Sequence, residues 1–162
     1  MEKMIRFQPA KFGQSEVPEV QGYDPYSTVT ALRGAPVTYD TTNDGIIIFA
    51  GATAVIDLLG IMLHDVVAGV SDDPAGKCIV AKAKGQEFVG QCVNGGSDPD
   101  VVLTDLSSLI IGEQYGIIIN TAGEWAVDTS ETTSLIVEIT RIDDDLDIVW
   151  FKILDSVCQE GV

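Results

Sequence analysis

The chain has 162 residues, 46% of them hydrophobic, which suits one domain able to bury a core without disulfides or a structural metal. It carries 25 acidic and nine basic residues, a formal net charge of −16. Such a surface repels phosphate backbones and anionic lipid, so no nucleic acid and no membrane is expected among its partners.

Residues 1–33 hold four acids and four bases, so residues 34–162 carry the entire −16. The first 35 residues contain Pro9, Pro18 and Pro25 and keep no helical or alternating period. Each proline removes a backbone donor and biases its predecessor to extended geometry, which predicts an extended N-terminal arm over residues 1–35. Phe7, Phe12, Tyr23 and Tyr26 are costly in a tail that touches nothing. With Lys3, Arg6 and Lys11, Phe7 and Phe12 form a candidate interface on another surface. The N-terminus is charged and then polar, without the apolar region of a secretion signal, so synthesis in the cytoplasm is expected.

From Pro36 to the end the pattern is that of strands, and an antiparallel β-barrel or sandwich is expected over residues 36–162. "PVTYD" and "IIIFA" flank a turn signal at Asn43-Asp44-Gly45. Between Val55 and Val67 the apolar residues fit a helix as well as a strand, but Gly60 and its bulky neighbours favour two short strands. "KCIVAKA" and "QEFVGQCV" suggest a hairpin centred on Lys84-Gly85. Lys77, Lys82 and Lys84 gather scarce cations there, either to guard an edge strand or to meet acids on a neighbouring copy. Thr104–Leu109 suits a single helical turn. "YGIIIN" and "EWAVD" form a further hairpin, and "SLIVEITRI" and "DIVWFKIL" flank an acidic turn.

In that last hairpin Leu135, Val137 and Ile139 alternate onto one face, where Val149, Phe151 and Ile153 oppose them. The other face carries Ile136, Ile142, Ile148, Trp150 and Leu154. Either both faces are covered within the fold or one meets a partner, with Ile148 and Trp150 the candidate contacts.

No pattern of catalytic chemistry emerges. His64 is the single histidine, and its neighbour Asp65 would point to the opposite face of a strand. Asp72-Asp73, Asp98/Asp100 and Asp143-Asp144-Asp145 with Asp147 lack the ligand spacing of a calcium loop and read as solvated turns. Asn94–Asp98 is glycine-rich without the Gly-Lys-Ser/Thr of a phosphate loop. Cys78, Cys92 and Cys158 are odd in number and lack CxxC spacing, so they read as small hydrophobes. No catalytic residue, cofactor or metal ligand is assigned.

From about Val37 to Cys158 the chain resembles the small β-barrel decoration, or cement, proteins of tailed-bacteriophage capsids. The likeness lies in "LLGIMLHD" (Leu58–Asp65), "VGQCV" (Val89–Val93), "IGEQYGI" (Ile111–Ile117), "WAVDTSE" (Trp125–Glu131) and "IVWFKILDS" (Ile148–Ser156). The resemblance implies a non-enzymatic protein on the outer surface of a virion, bound to the phage major capsid protein and to its own copies as a homotrimer. Phe7 and Phe12 would then bury against the shell or an adjacent subunit. Lys3, Arg6 and Lys11 would meet acids there, and Ile148 and Trp150 would serve the trimer. The alternatives are a tail or fibre component, or an acidic calcium- or ligand-binding β module; an enzyme with a paired carboxylate comes last.

Overall fold

The computed structural model describes residues 4–10, 20–42, 44–48, 57–71, 73 and 76–159. In chain order the strands are β1 (Gln8–Pro9), β2 (Val20–Tyr23), β3 (Pro36–Asp40), β4 (Gly45–Ile48), β5 (Gly60–Met62), β6 (Val66–Val67), β7 (Val70–Ser71) and β8 (Cys78–Lys82). They continue with β9 (Glu87–Gly90), β10 (Cys92–Asn94), β11 (Asp98–Val102), β12 (Gln114–Ile119), β13 (Trp125–Asp128), β14 (Val137–Asp143) and β15 (Ile148–Ile153). A 3-10 turn, Asp155–Val157, follows.

Two sheets carry the fold, a five-stranded one ordered β2-β8-β5-β3-β4 and an eight-stranded one ordered β1-β9-β15-β14-β12-β13-β10-β11. β6 and β7 form a separate hairpin. Among the described residues every strand pair is antiparallel except β10 with β13. Only Gln91 separates β9 from β10, so residues 87–94 are one kinked strand. Its first half pairs with β15 and its second with β13, whose Val127 N–H donates to the Gln91 carbonyl at 2.9 Å. The large sheet therefore curls until its flanks share this strand. β1 and β11 fill the sides left over, and the architecture is a curled all-β sandwich and not a closed barrel.

One apolar core joins the sheets. Val37, Ile46, Ile61 and Val80 come from the small sheet; Phe88, Val137, Ile139 and Phe151 come from the large one. Each such side chain contributes about 1.5–3 kcal/mol by leaving water. The C-terminus ties the layers together: Leu58 N–H donates to the Val157 carbonyl at 2.7 Å, and Gln159 N–H to the Leu58 carbonyl at 2.9 Å. The Gln159 side chain then bonds both backbone groups of Tyr39, at 2.8 and 2.9 Å.

The two-faced hairpin resolves through a bulge. β14 and β15 pair as Val137↔Ile153 and Ile139↔Phe151, slip at Thr140, and resume as Arg141↔Trp150 and Ile142↔Val149. The extra residue swings Ile142 round to the core beside Val149. Ile136 is buried, and Ile142 and Leu154 pack against the core. The turn at Lys84-Gly85 corrects the sequence expectation. β8 and β9 are not a hairpin, because β2 and β5 already occupy both flanks of β8 and the chain must cross to the other sheet. The Thr104–Leu109 helical turn is likewise replaced by a tight turn that Leu109 N–H closes on the Leu106 carbonyl at 3.0 Å. The hairpins β3–β4, β12–β13 and β14–β15 and the strands β5 and β6 form as the sequence predicts.

Residues 4–10 and 20–35 are extended at β1 and β2 but turn at 26–29 and 32–35, and they pack as part of the body. β1 adds to β9 and β2 adds to β8, so the two segments line one edge of each sheet. Phe7, Tyr23, Val29 and Ala31 are buried in the common core. Gly90 makes room for the arm: a Cβ there would meet Phe7 Cδ1 at 2.5 Å.

Candidate interaction surface

Two of the clustered lysines, Lys77 and Lys82, serve the chain itself. β8 lies inside its sheet, so guarding an edge is not their role. Lys77 Nζ meets Asp24 Oδ1 at 2.5 Å. Lys82 Nζ donates to the Tyr23 hydroxyl at 2.5 Å and sits 5.2 Å from the centre of that ring. Both contacts clamp β2 onto β8, and Lys84 stands exposed in the crossover turn.

Of the candidate interface residues, Phe7, Arg6, Ile148 and Trp150 are described, and each has contacts within its own chain. Phe7 is 1% exposed, with its ring against Phe151, so it is not offered to a shell or an adjacent subunit; the reason is the cleft that Gly90 opens. Arg6 Nη1 reaches Asp65 Oδ1 at 3.5 Å, and the same oxygen accepts the Arg33 N–H at 2.6 Å. Ile148 is buried at the start of β15. Trp150 lies on the outer face of the large sheet, where the Arg141 guanidinium stacks 4.2 Å from its ring centre. Lys3, Lys11 and Phe12 lie outside the described residues.

His64 faces Asp73, at 3.9 Å, and not its neighbour Asp65. Several aspartates of the loops act as backbone acceptors. Asp98 takes the Asp100 N–H at 3.0 Å, and Asp100 takes the Thr121 N–H at 2.8 Å. Asp143 takes the Leu146 N–H at 3.2 Å, and Asp144 takes the Leu106 N–H at 2.7 Å. Asp105 takes both the N–H and the hydroxyl of Ser107. Asp72 lies outside the described residues.

The glycine-rich stretch at 94–98 is a docking loop within the fold. Gly95 N–H donates to the buried carboxylate of Asp128 at 3.0 Å, and Gly96 N–H donates to Ser130 Oγ at 2.8 Å. A side chain on Gly95 would collide with Asp128 Oδ2 at 2.4 Å. Next to this knot Glu131 accepts the Thr133 hydroxyl and the N–H groups of Thr133 and Ser134, at 2.6, 2.7 and 3.0 Å. These bonds, the hydroxyl foremost, hold its carboxyl down at about 2. Burial pushes the Cys92 thiol up to about 12 and, with help from the Asp24 charge, the Cys78 thiol up to about 11.

Among the described residues the fold leaves Ile5, Val20, Val101 and Ile119 exposed along the chain, and a further set of branched aliphatic side chains exposed at its loop tips. Val67 and Val70 face each other across the β6–β7 turn, where Ala68 and Gly69 take positive φ values of 48° and 78°. This turn is held by Ala68 N–H on Thr30 Oγ1 at 3.0 Å and Gly69 N–H on the Val29 carbonyl at 2.8 Å. Ile110 and Ile111 cap the loop before β12, and Leu146 tips the β14–β15 turn. Reading strands alone passes over these residues. Their signal is a pair of aliphatics after a turn in "SSLIIGE" and one leucine set in the acid run "DDDLD".

No family model and no curated protein matches this chain.

Proposed function

We propose that the protein works by association, as a non-enzymatic structural component that decorates and stabilises the outside of a phage capsid. It binds capsomers and neighbouring copies, in a homotrimer. One observation carries the reading: exposed aliphatic tips sit on turns fixed by several backbone and carboxylate hydrogen bonds. Contacts held in place before binding lose little entropy when they form. Many copies on one shell would add weak single contacts into strong retention. The resemblance of residues 37–158 to capsid decoration proteins supplies the particular assembly.

The test mixes the purified full chain with shells assembled from a phage major capsid protein and sediments them. Saturable co-sedimentation at a fixed ratio to capsid subunits, with a raised melting temperature of the shell, is expected. A few copies per particle favours a tail or fibre component. A monomer that stays in the supernatant overturns the proposal. Deleting residues 1–30 is no test of docking, because it removes Phe7, Tyr23 and Val29 from the core.

A further inference from the structure

Residues 103–113 and 143–147 lie together at one end of the large sheet. Leu106 and Leu109 are buried and anchor the first loop, while Ile110 and Ile111 stay 57% and 62% exposed; Leu146 in the second is 61% exposed. The loops are pinned to each other and to the sheet. Leu106 N–H donates to Asp144 Oδ1 at 2.7 Å, and Gly112 N–H to the Ile139 carbonyl at 2.8 Å. Branched aliphatics fixed in water on a braced backbone gain by meeting an apolar surface.

The charge around them selects that surface. The two segments contain six carboxylates and no lysine or arginine. At physiological ionic strength charges are felt over about 8 Å, so any partner covering the aliphatics also meets this rim. A second copy presenting the same face would set like charges face to face, as would nucleic acid or an anionic bilayer. The Val67–Val70 tip differs, because Asp65 near it is engaged by Arg6 and by the Arg33 N–H.

We infer that this acid-rimmed aliphatic end is the docking face, seating Ile110, Ile111 and Leu146 in an apolar groove of a partner protein flanked by lysine and arginine. This rests on the association reading above. It names which end engages and the chemistry that it meets.

The probe is a labelled amphipathic Leu/Lys peptide, compared with a Leu/Glu peptide, and binding to the full chain is followed by fluorescence anisotropy. The Leu/Lys peptide should bind and the Leu/Glu peptide should not. The I110S/I111S double variant and L146S should each weaken binding about tenfold or more. D145N/D147N should weaken it and flatten its salt dependence. V67S/V70S should leave it unchanged. Equal binding of both peptides, full binding by I110S/I111S, or loss in V67S/V70S instead overturns the inference. So does wild-type self-association that I110S/I111S abolishes, which would make this end a contact between copies. The same variants on capsid shells separate the two readings. Shell binding that survives I110S/I111S sinks the docking face alone. Absent wild-type shell binding, with the peptide ranking intact, sinks the capsid assignment alone.

Discussion

The ring of Phe7 meets that of Phe151 edge-on, with centroids 4.9 Å apart and planes inclined at 63°. Phe151 stacks in turn near Phe88, with centroids 6.0 Å apart. An aromatic from the first ten residues thus completes the core of the large sheet. Truncating a buried phenylalanine costs its transfer energy plus the cavity it leaves, so Phe7→Ala should lower unfolding stability by about 3–5 kcal/mol. Phe7→Leu should cost less. Urea denaturation of both variants measures this. A loss below about 1 kcal/mol in Phe7→Ala would mean that the N-terminal segment is not part of the cooperative unit.

Gly60 is required where β5 passes β8. A Cβ at this position would lie 2.0 Å from the Ala81 carbonyl oxygen, a backbone atom that cannot turn aside. Gly60→Ala should therefore break the β5–β8 pairing and cost about 3 kcal/mol or more, at the upper end for overpacking. Gly85→Ala serves as comparison, because nothing lies within 4 Å of a Cβ there and only its φ of 71° opposes the change. Thermal melts of the two variants should differ clearly, with Gly60→Ala the lower. Equal melting temperatures would contradict the close approach.

Much of this fold could be read from alternation and turn residues. Three hairpins and the strands on either side of Leu63 follow from local pattern, because local pairing depends on neighbours in sequence. The crossover at Lys84-Gly85 could not be read that way. Its turn chemistry equals that of a hairpin, and what decides is that β2, far earlier in the chain, has taken the flank of β8. The bulge at Thr140 was hidden likewise, since one inserted residue reverses the inward set without altering composition. Phe7 was legible as an anchor but not as an anchor on its own chain. That distinction needs Gly90, which is 83 residues away in sequence yet in contact. The exposure of Ile110, Ile111 and Leu146 is not legible in the sequence, because hydrophobicity alone does not tell a core position from a tip.

Glu131 gives the protein a calculable acid sensitivity. Its folded-state value of about 2 lies below the ordinary 4.5, so the unfolded chain binds this proton more tightly than the folded chain does. The stabilising contribution is fully present above the ordinary value and fades as pH falls towards about 2. Glu131→Gln should therefore melt below wild type at neutral pH, with the gap closing across that window. Melting temperatures of both proteins over the acid range check this. A gap that stays constant would show that the Thr133 and Ser134 bonds do not distinguish the charged carboxylate from a neutral amide.

The three thiols should divide sharply by reactivity, since the thiolate is the nucleophile. Cys78 and Cys92 are fully buried and are pushed up to about 11 and about 12, so at neutral pH neither presents a thiolate nor a path for a reagent. Cys158 is partly buried beside the 3-10 turn, with its Sγ 3.4 Å from the Leu154 carbonyl. An alkylating reagent should add to Cys158 first in the folded protein, and to the other two only when the chain unfolds. Intact-mass analysis before and after adding urea reads the number of adducts, and Cys158→Ser should abolish the first. Labelling of Cys92 in the native protein at the rate of Cys158 would mean that the kinked strand around Gln91, which joins the two flanks of the large sheet, opens on its own.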